Sequence, residues 1–263
     1  MSVFKLVRVV ILLSILFAIL LSTWMNERRL AGWERPIWVT VYPMLADKSP
    51  ATRAHAESIS ESTFAGVNRF FERDLRLYGV SLTPPFNFQI APVSDELPPS
   101  IPDRDAMLAI AAWSLKMRWW AWRMQRNDGL VATDIQLFVL YHAQGGDSEM
   151  KMSVGMRKGM YGLVKAYTGR DLQEQNNVVI AHELLHVLGA TDKYQPATGN
   201  PDFPSGYAEP DRQPVYPQVT AEIMGGRIPL SPYESIMPGS LEECRIGHKT
   251  AAEIGLHSQL HAD

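Results

Sequence analysis

Residues 178–194 read VVIAHELLHVLGATDKY, and the rest of the chain is best understood outward from them. Val178, Ala181, Leu185 and Leu188 recur at intervals of three and four, which predicts a helix with those residues as its core face. His182 and His186 are four apart and stand one turn above the other, so both imidazoles point to the same place. They form a candidate metal-ligand pair. Glu183 lies about 100° round the helix from His182, close enough to flank an ion without ligating it, and is the candidate general base.

Gly189 follows the second histidine by three residues, where a glycine can take the left-handed conformation that ends a helix. The chain then doubles back and brings Asp192 toward the histidines. The string His182-Glu183-Leu184-Leu185-His186-Val187-Leu188-Gly189-Ala190-Thr191-Asp192 is a HExxHxxGxxD pattern, with ten residues from first to third candidate ligand. In this it resembles the metzincin-like zinc metalloproteases, in particular the snapalysin-like type in which Asp replaces the usual third His. The resemblance is specific over Val178–Asp192 and topological elsewhere. It implies Zn²⁺ held by His182, His186 and Asp192, with Glu183 as the base in peptide hydrolysis. Asp192 could instead salt-bridge to Lys193 or Arg170, leaving Glu209 or Glu222 as third ligand, as in gluzincins.

Two segments resemble the methionine turn that lies beneath the metal in that family, Glu222–Gly226 and Ser235–Pro238. Met224 is preferred over Met237 because the Gly pair after it permits a tight turn. Tyr194, Tyr207 and Tyr216 are all candidates to donate to a developing oxyanion. Gln195–Pro238, rich in Pro, Gly, Tyr and Asp without periodicity, is read as a functional segment shaping the substrate site.

Ahead of the central helix, Asp171 with Glu174 is the expected N-terminal cap. Ile37–Tyr42, Phe86–Ala91 and Thr133–His142 read as strands, and Met150–Met156 with Met160–Tyr167 as a further pair. The first strand is expected inside the sheet and to stop at Pro43. Ala51–Tyr78 is predicted as one helix closed by Gly79, with Phe64, Val67, Phe71, Leu75 and Tyr78 as its apolar stripe. Asp103–Asn127 is predicted as a long helix with one stripe of Leu108, Ala112, Leu115, Trp119 and Trp122 and another of Lys116, Trp120, Arg123 and Asn127. It is read as a core helix whose arginine stems cover exposed rings, against an interfacial helix on a membrane. His142 is read as a strand-end histidine. Ile246–Leu256 is a closing amphipathic helix that leaves His248 and His257 toward solvent.

At the N-terminus, Lys5 and Arg8 precede Val9–Met25, a run without charge and with only Ser14, Ser22 and Thr23 as polar residues. It resembles a signal anchor. No small-x-small cleavage site stands at its end. The expected organisation is an anchor over 1–30 and a catalytic domain over 31–263, outside the membrane, on the periplasmic side of a bacterial inner membrane, or secreted if the segment is cleaved. The fold class is α/β (α+β): a metzincin-like mixed sheet with packed helices, an active-site helix and an irregular C-terminal subdomain.

With 263 residues, 46% hydrophobic and 20% charged, the chain can bury a sizeable core. A net charge of −3 gives no reason to expect nucleic acid. Cys244 is the single cysteine, so no internal disulfide forms. The expected partners are a peptide or protein substrate and the membrane. Two other readings fit the same residues: a zinc amide hydrolase acting on cell-wall peptides, and a non-catalytic membrane-anchored scaffold.

Overall fold

In the computed structural model the described residues are 5–10, 13–14, 17, 32–47, 49–102, 107–143, 154–156, 159–169 and 171–256. Ile37–Leu45 (β1) is flanked by Phe86–Ile90 (β2) and Ile135–His142 (β3), both parallel to it. Tyr161–Tyr167 (β5) continues the parallel run beside β3, and Val154–Met156 (β4) closes the edge antiparallel to β5. The order is therefore β2-β1-β3-β5-β4, a mixed sheet. Both faces are covered, as parallel sheets require.

The strand side chains alternate between two cores. Val39, Val41, Leu137, Val139, Val164 and Ala166 face one, and Tyr42, Met44, Phe138, Leu140, Tyr161 and Leu163 face the other. Pro50–Ser58 (α1) and Ala65–Leu77 (α2) link β1 to β2, and Met107–Asn127 (α3) carries the chain back across β1 to β3. These crossovers run in opposite directions along the sheet, so a right-handed connection places their helices on opposite faces. The core residues agree: Val67, Phe71 and Leu75 of α2 lie in the first core, Trp113, Met117, Trp120 and Ala121 of α3 in the second. Gln173–Leu188 (α4) packs on the same side as α2.

Four sequence expectations are corrected. The first strand does not stop at Pro43 but runs to Leu45. Val41 pairs with Ile90, but the next bonds from that side are Ser94 N–H to the Pro43 carbonyl and Leu45 N–H to the Ser94 carbonyl, so the neighbouring chain bulges by a residue where Pro43 has no N–H to offer. Ala51–Tyr78 is not one helix. Ile59 is extended, and Ser60 with Thr63 forms a reciprocal capping box that starts a 3₁₀ turn over Glu61–Phe64 before α2 begins. Asp171 does not cap α4; the N-cap position is Leu172, without a side-chain bond, and Glu174 only complements the dipole in the first turn.

The fourth concerns α3. Its continuous apolar stripe does not pack inward: Leu108, Leu115, Trp119 and Trp122 are 89, 61, 57 and 52% exposed. The opposite face is buried because its indoles find partners. Trp113 Nε1 donates to the Pro99 carbonyl and Trp120 Nε1 to Glu96, while Gln136 on β3 holds the Ala121 carbonyl. Arg123 and Arg126 do lie over the exposed rings of Trp119 and Trp122. Asp103, within the expected start of this helix, lies outside the described residues.

Beyond α4 the chain is mostly irregular, with short pairings of Ala221–Glu222 (β6) to Cys244–Arg245 (β9) and Ile228–Pro229 (β7) to Ser235–Ile236 (β8), then His248–Glu253 (α5). His248 is exposed, as expected; His257 lies outside the described residues. Most of the expected anchor also lies outside them. Residues 5–10 are helical, Leu6, Val7, Val9 and Val10 are exposed, and among the described residues no helix is long and apolar enough to cross a membrane.

Candidate metal centre

Helix α4 is fixed at three points. At its start, the Asn176 side chain accepts from Tyr167 N–H and donates to the Tyr167 carbonyl, tying the helix to the end of β5. At its middle it lies close on the sheet, since a Cβ placed on Gly162 of β5 would meet the Glu183 Cβ at 3.8 Å. At its end Gly189 takes φ +116, and both its N–H and that of Ala190 bond the Leu185 carbonyl. That bend aims the Ala190 carbonyl back at His186.

His182 and His186 face one another with ring centroids 4.7 Å apart. Asp192 Oδ1 sits 3.2 Å from His182 Nε2 and 3.0 Å from His186 Nε2. The three candidate ligand atoms all lie within 4.8 Å of one another, and no other such group of acids, histidines and cysteines occurs among the described residues. On the far side of each ring, Nδ1 is 2.9 Å from a backbone carbonyl, that of Ile223 for His182 and of Ala190 for His186. A carbonyl can only accept, so each Nδ1 carries the proton. In the neutral ring Nε2 is then a lone pair, and two of them meet a carboxylate oxygen. Three acceptors converging on one point require protons or a cation between them, and the donor set of two imidazoles and a carboxylate fits Zn²⁺.

The electrostatics follow from that geometry. Burial pulls the His182 pKa down, but the Asp192 hydrogen bond, the charge of Glu183 and the Ile223 carbonyl outweigh it, and the net shift is upward. Asp192 is held well below the usual carboxylate range: burial pushes it up, and the two imidazoles overcome that.

The rival third ligands are occupied elsewhere. Glu209 accepts from Arg212 at 3.0 Å. Glu222 is fully buried, with Gly247 N–H and the Thr250 hydroxyl on one oxygen and Gly225 N–H on the other. Burial raises its pKa despite those bonds. Its work is structural: it fixes the turn Glu222–Gly226, in which Gly225 and Gly226 N–H both bond the Glu222 carbonyl. This turn supplies the Ile223 carbonyl to His182 and the Met224 carbonyl to Lys193 N–H. Met224 is fully buried, whereas Met237 is 56% exposed.

A surface pocket opens against His182, lined also by Val178, Tyr194, Ile223, Arg227 and Met237. Tyr194 is thus placed beside the histidine, while Tyr207 and Tyr216 hydrogen-bond to each other at 2.8 Å. Glu183 is 4% exposed, its Cβ beside Gly162 of β5, and its charge is felt at His182.

Sequence reasoning missed how Asp192 is held. Thr191 N–H and hydroxyl donate to Glu253 of α5, and the Lys193 ammonium, itself buried, donates to Glu253 and to the Thr191 carbonyl. Lys193 is therefore paired with Glu253 rather than with Asp192. The only sequence signal was an acid on the polar side of a short closing helix.

No family model matches the chain, and no curated protein matches it. Among solved structures, one similar chain is described as "Structure of a chaperone-substrate complex", at a TM-score of 0.43 and 14% identity over 86% of this chain. The alignment spans 34% of that other chain, and a likeness at this level carries no conclusion about the present one.

Proposed function

We propose that the chain is a membrane-anchored zinc-dependent metallopeptidase similar to the metzincin-like HExxHxxGxxD type, with His182, His186 and Asp192 as ligands and Glu183 as general base. The observation that carries this reading is the convergence of two Nε2 lone pairs and Asp192 Oδ1, each ring oriented by a carbonyl on its other nitrogen. Supporting it are the mixed sheet with the helix packed on it, the glycine bend after the second histidine, and the buried methionine in a turn next to the site.

Zinc held there would act as a Lewis acid toward a water and a substrate carbonyl. Glu183 takes the proton of the attacking water as the new C–O bond forms, and returns it to the leaving nitrogen as the peptide C–N bond breaks. Tyr194, on the pocket beside His182, is placed better than Tyr207 or Tyr216 to donate to the oxyanion. The pocket is mainly apolar with Arg227 as its charged member.

The test is hydrolysis of an unfolded protein and of cell-wall peptides by the purified full-length chain, with and without Glu183→Gln. Proteolysis that falls about 10²–10⁴-fold in the variant at unchanged zinc content is expected. Cleavage confined to cell-wall peptides would make it the amide hydrolase, and equal rates in both proteins would remove Glu183 from the reaction.

A further inference from the structure

The outward face of α3 has no role in the metal site, and its composition is that of a surface in contact with something. At 100° per residue, Leu108, Leu115, Trp119 and Trp122 fall within about 40° either side of one line along the helix. These are the residues that stand 52 to 89% exposed. The stripe runs about 21 Å at 1.5 Å per residue. Lys116 and Arg123 lie on one border and Arg118 on the other, while Arg126 closes its C-terminal end. The buried face, Trp113, Met117, Trp120 and Ala121, is diametrically opposite, so the helix is apolar on two sides and basic between them.

A helix with one apolar face needs only a core; a second apolar face with arginines along its edges needs a second apolar phase. We propose that α3 docks the domain flat on an anionic lipid bilayer, with Leu108, Leu115, Trp119 and Trp122 at the level of the headgroups and the basic side chains on the phosphates. Three observations favour a bilayer over a protein partner. Within Met107–Asn127 there are four basic residues and no acid, which complements an anionic surface; Glu96 offsets one of them through Arg123. Indole rings capped by guanidinium groups, Arg123 over Trp119 at 5.2 Å and Arg126 over Trp122 at 4.9 Å, pair an apolar body with a charged head, the combination that suits the water–lipid boundary. Helical residues 5–10 expose Leu6, Val7, Val9 and Val10 as well, a second apolar surface on the same chain. This proposal is independent of the metal site and would hold for a scaffold as well as for a peptidase.

The experiment places an environment-sensitive fluorophore on Leu115→Cys in the full-length chain, reconstituted into phosphatidylcholine vesicles with or without phosphatidylglycerol. Cys244 is buried and stays unlabelled. A second chain labelled at Tyr233→Cys, where the native side chain is 89% exposed, is the reference. The label at 115 is expected to shift to the blue, to be quenched by a nitroxide-bearing lipid and to be shielded from iodide in the anionic vesicles, while the label at 233 stays open to iodide. Lys116→Glu and Arg126→Glu, both at exposed positions that leave the core untouched, should each shift the docked population at least fivefold, from about 1 kcal/mol per basic residue at an anionic surface. An iodide-accessible label at 115 in both vesicles overturns the proposal. So does shielding from iodide without response to the lipid-borne quencher, which would mean that a second copy or the N-terminal segment covers the face.

Discussion

Lys193 donates its buried ammonium to Glu253 at 2.8 Å across 60 residues of sequence, and the same carboxylate holds Thr191 by its N–H and its hydroxyl. Asp192, between them, is thereby fixed by an element that contributes nothing to the ligand set. The closing helix α5 is in this sense part of the candidate metal centre.

The pair is asymmetric, and so are the consequences of breaking it. Lys193 is 1% exposed in its side chain and Glu253 21%. Glu253→Ala strands a buried charge and should cost about 3–5 kcal/mol, whereas Lys193→Met leaves a carboxylate that water and Thr191 still reach and should cost clearly less. Urea unfolding of the two variants measures the difference. Competition with a chelator should show metal affinity down about 10–100-fold in Glu253→Gln. Unchanged affinity there would separate α5 from the site.

The same carboxylate sets an acid limit. Burial pushes the Glu253 pKa up, but Lys193 and Thr191 outweigh it and hold it below the ordinary Glu value. A depressed folded value stabilises the protein above the unfolded pKa, and this contribution is lost as pH falls through the folded value. The gap in thermal midpoint between wild type and Glu253→Gln should therefore be full at neutral pH and close on acidification, below the ordinary Glu range. A gap that widens in acid would contradict the assignment.

Asn176 offers a test of what aims the helix. Asn176→Ala leaves Tyr167 N–H and carbonyl without their side-chain partner, at about 0.5–1.5 kcal/mol for each of these part-buried bonds. The loss should be seen in urea unfolding with an unchanged slope, and zinc stoichiometry should survive at moderate temperature. A neutral substitution would show that α4 is held by its apolar face alone.

Two adjacent glycines should behave differently. A Cβ on Gly225 would meet the Gly206 carbonyl oxygen at 2.3 Å, so Gly225→Ala must push apart the turn that offers the Ile223 carbonyl to His182. It should cost about 1–3 kcal/mol and weaken metal binding. Gly226 has φ +73 with open space around it, so Gly226→Ala should cost about 1–2 kcal/mol in backbone strain with the metal retained. Calorimetry with zinc titration distinguishes the two.

What was legible in advance was whatever depends on short-range spacing. The histidine pair, the glycine bend and Asp192 come together because a helical turn and a tight bend are local geometry. The strands were legible because β-branched runs carry their own period. The inward face of α3 was not, since both sides of that helix are apolar and only distant partners, Pro99, Glu96 and Gln136, decide which indoles are buried. Pro43 misled for a similar reason: a proline ends a strand only if its missing N–H is needed, and a bulge in the neighbouring chain removes the need. Glu253 and Asn176 were invisible because each acts on backbone groups far away in sequence or across a layer.

The central claim is that His182, His186 and Asp192 hold one zinc ion. Zinc content of the purified full-length chain, taken with X-ray absorption at the zinc edge, tests it most directly. The expected result is one zinc per chain, with two imidazole nitrogens and carboxylate oxygen at about 2.0–2.2 Å, and its loss in His186→Ala. A folded chain from zinc-replete cells that carries no stoichiometric metal, or a zinc signal unchanged when both histidines are replaced, would contradict it.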